Sequence, residues 1–186
     1  MRKDFGVKPL LYPMPVLIIG TYNADGTPNA MNAAWGGISE ETEITICIDD
    51  THKTAENLTA RKAFTVSMAT AGQVTACDYV GIASGNQVPD KVARAGWHTT
   101  PSANVDAPLF DELPMAMECR VISYDPATCR LVGEIVNVCA DESVLSPDGK
   151  INPQKLRPIT FDPVNHVYLT LGEQVGRAFK DGTKLR

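Results

Sequence analysis

Pro28-Asn29-Ala30-Met31-Asn32-Ala33-Ala34-Trp35-Gly36-Gly37 is the stretch on which the reading of this chain turns. The apolar run Val16 to Tyr22 precedes it, and Ala24-Asp25-Gly26-Thr27 lies between, with an Asp-Gly pair that signals a tight hairpin. The second arm of that hairpin is therefore a strand, yet it lacks the β-branched bulk that strands prefer. Small side chains and two asparagines in a pairing strand mark a backbone that something approaches closely. A planar, polar-edged ring such as a flavin needs that approach, with main-chain and Asn donors around its rim. A strand packed tightly beneath a helix would carry the same residues, and the segment alone leaves the two readings level.

Working outward, strand patterns dominate. Val16-Leu17-Ile18-Ile19-Gly20 is continuously apolar, as in a strand covered on both faces. Ile44 to Ile48, Phe64 to Met68 and Met115 to Val121 alternate apolar and polar, and Leu131 to Val138 and Val167 to Leu171 bring the set to about seven strands. Asp125-Pro126 turns the chain between two long strands that should pair antiparallel. So many strands joined mostly by turns predict a mainly β protein, a closed or partly closed antiparallel barrel that removes exposed edges. Three peripheral helices are expected: one starting near Thr51 and running through Arg61, one over roughly Ala71 to Ile82, and a short turn around Glu173 to Phe179. Pro89, Gly96, Pro101, Pro108 and Pro114 forbid a long regular element between Gly85 and Leu113, so an irregular excursion over the barrel is expected there. No internal repeat appears, and the chain reads as one domain over residues 1–186.

Composition narrows the function classes. Of 186 residues, 44% are hydrophobic and 21% charged, an ordinary globular profile with enough length for a full core. A net charge of -5 with no long basic run argues against a nucleic-acid groove. No segment approaches the roughly 20 apolar residues of a membrane span, and the Met1-Arg2-Lys3-Asp4-Phe5 start lacks a signal peptide's apolar region, so a cytoplasmic protein is expected. Cys47, Cys77, Cys119, Cys129 and Cys139 are widely spaced without a CxxC pair, and read mostly as small core residues. His52, His98 and His166 are far apart, and no metal site is indicated.

Asp49-Asp50-Thr51-His52-Lys53-Thr54 joins a strand end to a helix start, where unpaired N–H groups, two hydroxyls and His52 and Lys53 suit a phosphate. An ordinary capped helix, with Thr51 or Asp50 bonding the first amides, explains the same residues. Ser84-Gly85 follows the second helix and Asp90-Lys91 lies just beyond; Gly85 suits a helix cap, and Lys91 is either solvated or able to reach a bound ring. Trp35 and Trp97 suit core or subunit-interface bulk, and Phe161 stands where it could cover one side of a ring. GxGxxG, GxxxxGK[ST] and GxSxG motifs are all missing from the sequence.

Taken in order, Pro15-Val16-Leu17-Ile18-Ile19-Gly20, Asp25-Gly26-Thr27-Pro28-Asn29-Ala30-Met31 and Ala33-Ala34-Trp35-Gly36-Gly37 resemble the flavoredoxin group of the flavin reductase-like family. Asp78-Tyr79-Val80-Gly81, Ser84-Gly85, Asp90-Lys91, Asp106-Ala107-Pro108, Val132-Gly133-Glu134-Ile135 and the terminal Leu171-Gly172-Glu173 extend the likeness over nearly the whole chain. The resemblance implies an FMN-binding split β-barrel, a Greek-key antiparallel barrel, working as a homodimer. It implies that Asn29, Ala30, Met31, Asn32, Ala33, Ala34 and Trp35 line the isoalloxazine. Thr51, His52, Lys53 and Thr54 would hold the phosphate, and Ser84, Gly85 and Lys91 would close over the ring edge. One departure stands out: Asp49 and Asp50 occupy a place where many members of the family carry a basic residue.

Two functions are compatible with this reading. One is an NAD(P)H-dependent flavin or electron-acceptor reductase, with Lys91 acting electrostatically at the ring edge. The other is an FMN carrier that exchanges electrons with protein partners and has no nicotinamide site of its own. A flavin carries the redox chemistry itself, so neither requires a protein nucleophile.

Overall fold

The hairpin expected around Asp25-Gly26 forms one margin of the main sheet in the computed structural model, which describes residues 1–185. A two-residue strand β1 (Met14–Pro15) leads to β2 (Leu17–Tyr22), which turns back as β3 (Pro28–Ala33). Asn23 N donates to Thr27 O (2.8 Å), and Asp25 Oδ1 accepts from Thr27 N (3.0 Å), so the turn is closed by its own polar residues. The chain then crosses through Ala34-Trp35 to a second hairpin, β4 (Gly36–Glu40) and β5 (Glu43–Cys47). Helix α1 (Lys53–Arg61) precedes β6 (Ala63–Met68), and α2 (Val74–Ile82) follows it behind a 3₁₀ turn at Ala71–Gln73. The excursion contains only short pieces: α3 (Lys91–Arg94), β7 (Thr99–Pro101) and β8 (Pro108–Phe110). Two eleven-residue strands, β9 (Met115–Asp125) and β10 (Arg130–Ala140), meet across the Asp125-Pro126 turn. Helix α4 (Pro153–Leu156), β11 (Ile159–Asp162) and β12 (Val167–Thr170) complete the regular elements.

Seven strands form one antiparallel sheet in the order β3-β2-β6-β9-β10-β5-β4, curled into a half-barrel. Its concave face buries Leu17, Ile19, Ile44, Ile46, Phe64, Val66, Cys119 and Leu131, and α1 closes one end with Ala55 and Leu58. The opposite face of β2 and its neighbours carries Val16, Ile18 and Ala30 into a second core with Cys77 and Val80 of α2, Val92, Trp97 and Phe110. The unbroken apolar run of β2 is thus explained: both of its faces are covered. A smaller sheet, β1-β11-β12, lies beside α2 and places Phe161 directly across from Tyr168.

Several expectations need correcting. The stretch Glu173 to Phe179 is not helical; only a 3₁₀ turn forms later, at Asp181–Leu185. Gly172 and Gly176 weaken helix formation there, and the segment is exposed, so no buried face stabilises a turn that short. Helix α1 begins at Lys53 with His52 as its N-cap, and neither Thr51 nor Asp50 caps it. Of the two roles open to Trp97, the structure gives it that of core: it packs on Phe110 inside the chain, ring centroids 5.1 Å apart. All five cysteines are free, but only Cys77 and Cys119 are buried. Among the described residues no helix is long and apolar enough to cross a membrane, and no group of His, Cys, Asp and Glu is arranged to hold a metal.

Candidate functional site

β3 is an edge strand, so its outer side presents main-chain N–H and C=O groups unpaired by the sheet. Asn29 and Met31 point to one face of the strand and Asn32 to the other, yet all three line one cavity of about 260 Å³, which therefore runs along this free edge. The opposite walls come from Thr51 to Thr54 at the start of α1, from Val80 to Gly85 at the end of α2, and from Lys91.

Hydrogen bonds hold these elements in place. Asn29 is buried, and its Nδ2 donates to Thr21 Oγ1 (3.2 Å) and Thr54 Oγ1 (3.0 Å), tying the hairpin to the first turn of α1. Asn57 Nδ2 donates to Thr21 Oγ1 (3.0 Å) and Asn23 Oδ1 (2.9 Å), anchoring the same helix to the strand turn. Asn86 Nδ2 reaches Thr51 O (3.0 Å) and links the two facing walls. Asn32 Nδ2 donates to Cys77 O (3.2 Å), fastening β3 to α2. Two glycines permit this closeness. A Cβ on Gly81 would lie 2.9 Å from Asn32 Cβ, and one on Gly85 would lie 2.5 Å from Asn29 Oδ1 and 3.0 Å from Lys53 Cβ.

The electrostatics of the cavity are one-sided. His52, Lys53 and Lys91 line it, and no carboxylate does. No side chain caps the first turn of α1, whose amides and dipole face the same space. Asp49 is turned into its own loop, accepting from Thr51 N (2.9 Å) and the Thr51 hydroxyl; these bonds, hydroxyl first, hold its carboxyl below the usual range. Lys53 Nζ pairs with Glu56 at 2.8 Å. Lys91 is 3% exposed, and its Nζ donates to Val80 O (3.0 Å) and Ala83 O (2.8 Å), the open carbonyls at the end of α2. Burial lowers this ammonium from the ordinary 10.5 to about 8.

Of the residues singled out from sequence, Asn29, Met31, Asn32, Thr51, His52, Lys53, Thr54, Ser84, Gly85 and Lys91 meet around this cavity. Ala30 and Ala33 lie in the two cores instead, Ala33 on the face of β3 that carries Met31 and Ala30 on the face that carries Asn32. Trp35 lies outside it, 57% exposed at the start of the β4 hairpin. Ala34 and Phe161 line a second, smaller cavity of about 210 Å³, which shares Asn32, Gly81 and Ile82 with the first and adds Val16, Asp78 and Tyr168. Sequence reasoning did not assign Val80 to Ala83 to the wall or Asp78 and Tyr168 to the smaller cavity. The apolar wall residues look like core in sequence; the recurrence of glycine at 81 and 85 was the available signal.

The chain matches the model of the flavin reductase like domain over residues 10–158. Among solved structures, it is similar to flavoredoxin of Desulfovibrio vulgaris (Miyazaki F), with a TM-score of 0.93 and 38% identity, covering 98% of this chain and 100% of that one. Flavoredoxin from Methanosarcina acetivorans gives a TM-score of 0.86 and 26% identity over 100% of this chain and 98% of that one. An FMN-binding domain of a flavin reductases-like enzyme from Shewanella baltica shares the fold, with a TM-score of 0.76 and 20% identity over 88% of each chain. A search of curated proteins returned no match.

Proposed function

Since the chain belongs to the flavin reductase-like family, we propose that it is an FMN-dependent redox protein that takes reducing equivalents from NAD(P)H and passes them to an acceptor. FMN is the cofactor. The observation that carries the reading is the cavity along the free edge of β3, walled by Lys53, Lys91 and His52, an uncapped helix start and two glycines that let α2 lie against Asn32 and Asn29.

The residues present fit the group. Thr51 to Thr54 offer first-turn amides and hydroxyls to a phosphate, and His52 and Lys53 add donors or positive charge. Asp49 and Asp50 do not line the cavity, so the departure from the family pattern leaves no carboxylate facing the phosphate. Met31, Asn32 and the free main-chain groups of β3 would hold the ring, and Ser84, Gly85 and Lys91 would line its edge. The bound cofactor supplies the one- and two-electron chemistry. The buried Lys91 ammonium in this wall would favour the electron-rich reduced state of a ring bound there.

A second reading, an FMN carrier that exchanges electrons with protein partners, is favoured by 38% identity over the whole chain to a flavoredoxin. Anaerobic mixing of the FMN-loaded protein with NADH or NADPH separates the two. Saturable bleaching of the flavin absorbance is expected with at least one nucleotide. Bleaching by neither, together with electron transfer from the chemically reduced protein to a protein acceptor, would establish the carrier. Failure to take up about one FMN per chain would remove both.

A further inference from the structure

The smaller cavity has the opposite electrical character from its neighbour. Tyr168 Oη donates to Asp78 Oδ1 at 2.7 Å, and Asp78 forms no salt bridge among the described residues. Burial first, and the adjacent Asp78 next, push the Tyr168 hydroxyl up to about 12, so its proton stays in place on the bond to the carboxylate. Asn32 Nδ2 is engaged by Cys77 O, which can only accept, and this fixes the amide and leaves Oδ1 as an acceptor. The polar atoms left for a ligand here are therefore acceptors, the second Asp78 oxygen and Asn32 Oδ1, while the Tyr168 oxygen is already met by the Asn32 amide. Flat apolar surface surrounds them. Phe161 and Tyr168 lie with ring centroids 6.0 Å apart, tilted by 53°, and Ala34 and Ile82 line the same space.

Such a slot accepts a planar ring that donates hydrogen bonds and is neutral or cationic, and it opposes an anion. We propose that it seats the nicotinamide ring of the electron donor and that the Asp78–Tyr168 pair selects the ring's carboxamide. The proposal rests on the NAD(P)H reading above. A carboxamide brings N–H donors to this acceptor-lined wall, and the oxidised pyridinium adds a positive charge that Asp78 and the two aromatic rings favour. A carboxylate at the same position brings no donor and meets Asp78 as a like charge. Sites built around hydrogen-bond partners reject analogues that lack them by large factors.

Nicotinamide mononucleotide and nicotinate mononucleotide differ only in that group, which makes them suitable probes. Calorimetric titration of the FMN-loaded protein should show the nicotinamide form binding about tenfold or more tighter. Asp78→Asn, whose amide can donate to a carboxylate, should reduce the preference to roughly threefold or less. Tyr168→Phe should weaken the nicotinamide form while FMN affinity, followed separately by flavin fluorescence, stays near wild type. Equal binding of the two nucleotides, binding of neither, or a preference that survives Asp78→Asn would overturn the proposal. If NAD(P)H still bleaches the flavin in those cases, the redox reading stands and only the slot is misassigned. A protein that takes up no FMN removes the redox reading itself.

Discussion

Lys91 places a charge inside the protein with only carbonyl dipoles to hold it. Its Nζ bridges Val80 O and Ala83 O, and no carboxylate among the described residues pairs with it; Asp90 and Arg94, on the same short helix, pair with each other at 2.9 Å. Of the polar and titratable groups on packed elements, His52 and Lys53 line the same cavity and Asp78 lines the adjoining one. The unfolded side chain takes its proton at the ordinary 10.5, the folded one at about 8. Between those values the unfolded chain carries more protons, so this residue adds stability as pH rises through that window, in total roughly 3 kcal/mol. Denaturant unfolding of the wild type and Lys91→Met at pH 7.5, 9 and 10 tests this. The wild type should gain on the variant at each step. Parallel pH dependence would mean that the ammonium is not desolvated.

At the scale of elements, the proposed function assigns the start of α1 to the phosphate and β3 with the end of α2 to the ring. Lys53 stands at that start, lines the cavity and is steadied by Glu56 one turn on. Lys53→Ala should weaken FMN by roughly tenfold to a hundredfold, the worth of one charged hydrogen bond, and leave riboflavin, which lacks the phosphate, nearly unchanged. Fluorescence titration with both flavins checks it, and equal losses would move Lys53 to the ring. The helix start and the first hairpin were legible beforehand because helix starts and Asp-Gly turns are written in local residue choices. So was β3, whose Asn29 and Asn32 sit where bulky residues would otherwise pack. β4 was not legible, since Gly36 and Gly37 carry no alternation and its strand character comes from pairing with β5. Nor was the smaller cavity. Asp78 and Tyr168 are separated by 90 residues and meet only because β12 returns beside α2. The helix expected at Glu173 to Phe179 failed for the complementary reason: local residues suggested a turn that nothing in the fold buries.

At the scale of the molecule, the seven-stranded sheet has two free margins, β3 with the cavity and β4. The register sets Gly36 opposite Ile46 and Ile38 opposite Ile44. The two β5 partners are buried while Ile38 is 64% exposed, so the apolar concave face runs out into solvent at β4, beside an exposed Trp35. A homodimer sheltering this margin is the expected state. Light scattering should give twice the mass of the chain at micromolar concentration, and Ile38→Glu should shift it toward single chains. A wild-type protein with the mass of one chain would refute the assembly. The strand order also has a consequence in time. Every residue lining the larger cavity lies between Asn29 and Lys91, but β2 and β6 reach β5 only through β9 and β10, which begin at Met115. Leu131, from β10, also belongs to the core that seats α1. A nascent chain emerging from the ribosome thus exposes all of its cavity residues well before it can fix them in space. FMN capture is therefore expected to follow the emergence of β10, not to accompany that of the cavity residues themselves.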